Sequence, residues 1–259
     1  MIRRFNRYEL KYFLPVKQCE RIITDLRDFV RPDDHGGERG YRVVSLYYDS
    51  PSLDFFWAKI EGIKFRRKLR IRIYPDDVEG EGRQEIEAVD RAMVEIKQRI
   101  NRTVQKRRLE LPLQQAEQLC CGGLEPTDLD SLDQQVASEV DYLVNAMHLR
   151  PTCITAYRRQ AFLGDLNEAG LRITFDTDLR CRINALQVNL KTDNQLFAPP
   201  DWCIMEVKAN DAVPDWVTSL LARHQCQLRR VSKYCAGLAL AAGIRVMPLA
   251  VAPQTGSME

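Results

Sequence analysis

Polar and apolar positions alternate in many short runs of this chain and recur with helical spacing in several others. Residues 7–14 alternate, which predicts a strand ended by Pro15. Cys19, Ile22, Ile23, Leu26, Phe29 and Val30 have helical spacing and predict a helix over residues 16–30. Residues 31–40 are polar and Gly-bearing and predict a loop. Residues 43–48 predict a strand, and Asp49-Ser50-Pro51 a turn and cap leading into a short helix over 53–60. Residues 65–74 predict a long strand, and the acidic segment 75–82 a hairpin tip. Further strands are predicted at 92–99, 103–109, 152–163, 171–177, 179–190 and 202–209, with a turn at 167–170. Further helices are predicted at 112–119, 132–147 and 215–224, and a last one, capped by Ser232, runs to about Ala242. The sum is eight or nine strands with several helices: an α+β protein with mostly antiparallel pairing.

The alternation carries charge. In residues 64–74 one face holds Lys64, Arg66, Lys68, Arg70 and Arg72, while the other holds Phe65, Arg67, Leu69, Ile71 and Ile73. Taken alone, such a strand is read as half-buried with a solvated polar face. The pattern recurs, however. Arg7, Glu9 and Lys11 oppose Tyr8, Leu10, Tyr12 and Leu14; Glu95, Lys97 and Arg99 oppose Val94 and Ile96; Lys106 and Arg108 share a face. Arg172, Thr174 and Asp176 oppose Leu171, Ile173 and Phe175, and Glu206, Lys208 and Asn210 oppose Met205, Val207 and Ala209. Amphipathic helices can cover the apolar faces, leaving the charged faces open to water or curled towards each other. A sheet that closes this way is a barrel of about eight strands with a charged lumen and helices outside, wide enough for a ligand.

A lumen dense in Arg and Lys repels itself unless an anion fills it. Arginine suits bidentate contacts to phosphate oxygens. The interspersed carboxylates Glu9, Glu95 and Glu206 suit a hard divalent cation, Mn²⁺ or Mg²⁺, that bridges phosphates. The implied ligand is a polyphosphate or the triphosphate of a nucleotide.

Overall composition narrows the picture. The 259 residues carry a formal net charge of +2, which argues for a small enclosed basic site over a surface that coats nucleic acid. Hydrophobic residues at 45% and charged residues at 29% place the chain among soluble globular proteins. The N-terminus lacks an apolar signal core, and the most apolar stretch, 235–243, is too short to span a bilayer. A cytoplasmic location with reduced thiols is expected for the eight cysteines. There is no C-x-x-C pair, the three histidines are scattered, and the Gly36-Gly37 loop lacks the Lys-Ser/Thr of a P-loop.

Several segments resemble a known family. Arg7-Tyr8-Glu9-Leu10-Lys11-Tyr12, Ser45-Leu46-Tyr47-Tyr48-Asp49-Ser50, Lys68-Leu69-Arg70-Ile71-Arg72-Ile73-Tyr74 and Glu95-Ile96-Lys97 are four of them. Tyr157-Arg158-Arg159-Gln160-Ala161-Phe162, Leu171-Arg172-Ile173-Thr174-Phe175-Asp176-Thr177, Met205-Glu206-Val207-Lys208 and Val231-Ser232-Lys233-Tyr234 follow in order. Together they resemble the VTC domain, the polyphosphate polymerase domain of the vacuolar transporter chaperone. That domain is one of the triphosphate tunnel metalloenzymes, whose fold is a closed antiparallel barrel. The resemblance covers residues 4–240 and implies one tunnel domain over 1–245; the remaining residues, 246–259, read as a disordered tail.

The resemblance implies roles. Arg70, Arg72, Lys97, Arg159 and Arg172 would hold phosphates at the reacting centre. Lys11, Lys68, Lys208, Ser232 and Lys233 would bind the nucleotide or chain, Ser232 and Lys233 at a helix N-terminus; Arg66, Lys106 and Arg108, on the charged strand faces read above, are expected to join them. Glu206 would be the main metal ligand, with Glu9 and Glu95 as helpers. Of the neighbours Arg158 and Arg159 only one can face inward, and the motif favours Arg159. Arg7 stands where the wider superfamily has the first Glu of Glu-x-Glu-x-Lys, which fits the polymerase branch and removes a carboxylate used by hydrolases. Eukaryotic polymerases of this family add an inositol-phosphate sensor domain and membrane spans. Neither is seen in this sequence, so sensor regulation and translocation are not expected. Three functions follow: an ATP-dependent polyphosphate polymerase, a triphosphatase acting on tripolyphosphate or nucleoside triphosphates, and a non-catalytic polyanion binder. ATP and inorganic polyphosphate are the expected partners, and nucleic acid is not.

Overall fold

A computed structural model describes residues 7–246 apart from 38, 76–88, 102, 124–128, 166, 167, 169, 191 and 211. All but residue 75 of the expected hairpin tip at 75–82, residues 167 and 169 of the turn at 167–170, and the tail from 247 therefore lie outside the described residues.

Strands β1 (Arg7–Pro15), β2 (Val30–Pro32), β3 (Tyr41–Asp49), β4 (Phe65–Ile73), β5 (Arg91–Ile100), β6 (Thr103–Pro112), β7 (Arg150–Gly164), β8 (Arg172–Arg182), β9 (Gln195–Leu196) and β10 (Trp202–Asn210) form one antiparallel sheet. Its order is β1-β10-β8-β7-β3-β4-β5-β6, with β2 on β7 and β9 on β8. The helices are α1 (Val16–Leu26), α2 (Asp54–Ile60), α3 (Leu113–Cys120), α4 (Ser131–Met147), α5 (Asp215–Arg223) and α6 (Lys233–Ala241). Among the described residues no helix is long and apolar enough to cross a membrane.

Two expected elements change. The helix expected over 16–30 ends at Leu26, and Val30–Pro32 pairs with β7 instead. β7 outruns β3, whose pairing stops at Arg159, so Phe162–Gly164 has free backbone groups that β2 satisfies. The two strands expected over 171–177 and 179–190 are one strand ending at Arg182. The register shifts opposite Tyr157, where two residues, Asp178, at φ 49, and Leu179, stand against one.

The apolar faces are covered as the alternation requires. α3 and α4 pack on Leu69, Ile71, Val94, Ile96 and Leu109. α1 and α5 pack on Leu14, Ile173, Met205 and Val207. Helices do not all lie outside, however. A third cluster joins Phe56 of α2 and most of α6 to Phe13, Val43, Tyr47, Cys153, Tyr157, Cys181 and Ile204. Phe13 follows Glu9 and Lys11 on one face of β1, and Ile204 precedes Glu206 and Lys208 on one face of β10. α6 therefore packs on the same side of the sheet as the charged residues. The fit is close: a Cβ on Gly237 would stand 2.8 Å from Cys181 Cβ.

The closed barrel is also corrected. Among the described residues no ladder joins β1 to β6, the two ends of the strand order. The outer edge of β1 is met by the segment before α6, through the bridge Tyr12–Leu228 and a 2.8 Å bond from Arg229 N to the Lys11 carbonyl. That segment occupies edge positions of β1 that closure would need. The sheet nevertheless curls enough for Lys97 of β5 to reach Glu9 of β1.

Candidate functional site

The concave face encloses a cavity of about 580 Å³. Fourteen of its lining residues are Lys or Arg, and two, Glu9 and Glu206, are carboxylates. Glu95 and Asp176, behind the wall, offset part of this excess by pairing with Arg70, Arg159 and Lys233.

Each wall is a strand face. On β4, Arg70 donates from Nε to Glu95 Oε2 at 2.7 Å and from Nη1 to the Tyr47 hydroxyl at 3.0 Å. Arg72 donates to Ser45 Oγ at 3.0 Å and to the Tyr157 hydroxyl at 3.1 Å. On β7, Arg159 donates to both oxygens of Asp176, at 2.7 and 2.8 Å. These partners hold the guanidinium planes in place, so little ordering is left to do on binding. Arg158 is exposed and donates to the Arg39 carbonyl, so of the two neighbours Arg159 is the one that lines the cavity.

β1 and β10 build a checkerboard. In register, Glu9 faces Lys208 and Lys11 faces Glu206. Lys11 Nζ lies 3.0 Å from Glu9 and 3.6 Å from Glu206, and Lys208 Nζ lies 2.9 Å from Glu206. Burial pushes the Glu9 carboxyl up, but Lys11, with Lys97 and Lys208, brings it down to about 2. Glu206 is likewise penalised by burial yet held well below the usual range by Lys11, Lys208 and Lys233. Burial dominates at Lys97: despite Glu9 its ammonium is lowered to about 8. Lys59, buried near Lys68 and Arg66, also falls to about 8.

α6 brings its N-terminus to the cavity. Ser232 caps the helix by accepting from Cys235 N, and its hydroxyl also accepts from Lys68 Nζ at 2.7 Å. Lys233 Nζ lies 2.6 Å from Asp176, which thus holds two cations at once. Tyr234 donates to Asp49, a buried carboxylate that also accepts from the backbone of Ser50, Phe55 and Phe56. This ties α6 to the start of α2.

Of the residues singled out from sequence, Glu9, Lys11, Arg66, Lys68, Arg70, Arg72, Lys97, Arg159, Glu206, Lys208, Ser232 and Lys233 line the cavity together. The remaining four stand behind or beyond it. Glu95 is almost wholly buried under Arg70 and takes Lys106 at 2.6 Å and Arg108 at 2.8 Å on its other oxygen. Arg172 is held by Asp33 at 2.6 Å and by the Tyr41 hydroxyl at 2.9 Å. Sequence reasoning missed Tyr47, Lys59, Arg67, Arg99, Tyr157, Arg229 and Arg230 as lining residues, and Asp176 as the anchor of Arg159 and Lys233. Tyr157 and Asp176 lie inside segments that carry the family resemblance. Arg229 and Arg230 lie in irregular chain, where no periodicity points to a face.

The family match of this chain, together with an antiparallel sheet curled around a cavity of arginines, lysines and two carboxylates, supports a triphosphate tunnel-type enzyme. Residues 6–242 match the family model of the VTC domain, and the chain belongs to that family. No curated protein matches it. Similar solved structures include two called putative adenylate cyclase. The one from Vibrio parahaemolyticus is 10% identical, covers 89% of this chain and 96% of its own, and has a TM-score of 0.43. The one from Bacillus halodurans is 12% identical, covers 86% and 94%, and has a TM-score of 0.45. The Schizosaccharomyces pombe Mediator head module includes a chain 12% identical, with 86% and 96% covered and a TM-score of 0.45.

Proposed function

We propose that this protein is a metal-dependent polyphosphate polymerase that transfers the terminal phosphoryl group of ATP onto a growing polyphosphate chain. The observation that carries the reading is the cavity itself: fourteen cationic residues line it in a chain of the VTC family. Arg70, Arg72 and Arg159 hold the transferring phosphoryl group, with Lys11, Lys68, Lys97, Lys208, Lys233 and the Ser232 end of α6 on neighbouring phosphates. Arg66 continues the row. Arg172, Lys106 and Arg108 act further out, the latter two through Glu95.

Among the described residues no three His, Cys, Asp or Glu side chains group as a metal cage. Two carboxylates beside a phosphate site still fit Mg²⁺ or Mn²⁺, which commonly take one or two carboxylates plus substrate oxygens. Glu206 and Glu9, which line the cavity, would hold the ion; Glu95, buried beneath Arg70 and outside the lining, would act as its anchor. The ion would supply charge neutralisation on the phosphates.

An oxygen of the chain's terminal phosphate attacks the γ-phosphorus, a new P–O–P bond forms, and the bond to ADP breaks with its electron pair on ADP. The acceptor oxygen is already ionised, so no general base is required. The protein's share is positioning and charge stabilisation by the fixed arginines.

The test is incubation of the pure protein with ATP and Mn²⁺ or Mg²⁺, with products resolved by length. ADP and chains longer than three phosphates are expected. Orthophosphate alone would assign a triphosphatase, and no turnover with intact binding would assign a polyanion-binding protein.

A further inference from the structure

The cavity wall is cationic, with one interruption that the phosphate reading leaves unused. On the inward row of β6, Lys106 and Arg108 reach Glu95, but the next position towards the cavity is Val104. Leu228 lines the same cavity from the segment that runs along β1. It is 61% exposed, a large apolar side chain left in water at a site built for anions. Tyr47, Tyr157 and Val231 also line the cavity, but each is buried. Val104 and Leu228 are thus the accessible apolar part of the lining.

Both sit on the strand edges that do not pair with each other, β6 and the segment beside β1, where the sheet is open. Arg99 is the cross-strand partner of Val104, and Arg229 follows Leu228. Their guanidiniums are planar cations suited to lie against a π-face.

We infer that Val104 and Leu228 form a subsite for the nucleoside end of a nucleoside triphosphate, with Arg99 and Arg229 beside the base. This rests on the nucleotide-dependent reading above. A nucleoside triphosphate is apolar and flat at one end and polyanionic at the other. The wall has the same order, from the open edges to the partly buried Arg70 and the buried Arg72 and Arg159. An inorganic polyphosphate has no use for the apolar edge, so the subsite distinguishes the two ligands.

The experiment compares equilibrium binding of ATP and of tripolyphosphate by calorimetry, in the wild type and in a Val104→Ser, Leu228→Ser double variant. Losing apolar contacts of this size weakens a ligand about 10-fold. The ATP dissociation constant is expected to rise by about that factor, while that of tripolyphosphate stays within about twofold. A Leu228→Met variant, which keeps the apolar surface, should bind ATP like the wild type. Unchanged ATP affinity in the double variant, or equal weakening of both ligands, overturns the subsite. Because binding is read without turnover, absence of chain synthesis sinks the polymerase reading while leaving the subsite standing. Chain synthesis with unchanged ATP affinity does the reverse.

Discussion

Lys97 of β5 reaches across the open seam to Glu9 of β1, with Nζ 2.7 and 2.9 Å from the two carboxylate oxygens. The strands belong to opposite ends of the sheet order, so side chains rather than a backbone ladder draw the walls together here. A pair that spans a seam and lines an anion cavity should report on the anion.

Lys97 and Lys59 both titrate near 8 in the free protein. A bound polyanion favours their charged forms, so at pH 8 binding takes up protons. Affinity for tripolyphosphate should fall as pH rises through 8. Calorimetry in buffers of different ionisation enthalpy measures the uptake, and a proton count of zero at pH 8 refutes it. The sign for stability is the opposite. The lowered pKa of Lys97 penalises the folded state below 8, and the penalty is relieved as pH rises from 8 towards 10.5.

Glu206→Gln keeps the side chain's volume beside Lys11 and Lys208 and removes its charge. Metal-dependent turnover should drop ~10²-fold or more, with the fold retained. Unchanged activity with a wild-type circular dichroism spectrum would take Glu206 out of the site.

Arg70 and Arg72 share one strand face, and a nucleotide and a chain would both pass them. Changing both to Ala should abolish synthesis and weaken ATP and polyphosphate binding together. Loss of binding for one ligand alone would show that the two do not share the row.

Glu95 is the buried counter-charge of Arg70, Lys106 and Arg108. Glu95→Gln strands these cations and should cost about 3 kcal/mol in a denaturant titration. Burial pushes the Glu95 carboxyl up, but Arg70, Arg72 and Lys106 hold it far below 4.5. Its contribution is therefore present at neutral pH and is lost as pH falls below 4.5. A wild-type midpoint in the variant would contradict the anchor.

Asp176 holds Arg159 and Lys233 without lining the cavity. Asp176→Asn should act through those two cations, raising KM for ATP and lowering kcat. Lost stability with unaltered kinetics in the folded fraction would make Asp176 purely structural.

Much of the site is legible in the order of residues. Alternation alone assigns Lys68, Arg70 and Arg72 to the face opposite Leu69, Ile71 and Ile73, because a strand has a period of two whatever surrounds it. The same rule places Glu9 with Lys11 and Glu206 with Lys208, and the family resemblance picks Arg159 over Arg158. The charged rows are not charged throughout, however. Phe13 and Ile204 lie on the same rows, and their apolar character marks where α6 enters the concave side.

The sequence by itself determined which residues share a face, the antiparallel α+β class and the cationic character of the inward rows, since these depend on local period and on charge. Only the tertiary structure decided that the sheet curls without a ladder between β1 and β6, and that α6 lies inside it. It alone placed Glu95 beneath the arginines, and Arg229 and Arg230 at the cavity. These depend on which strands become neighbours and on the path of irregular chain, and neither leaves a periodic trace in the order of residues.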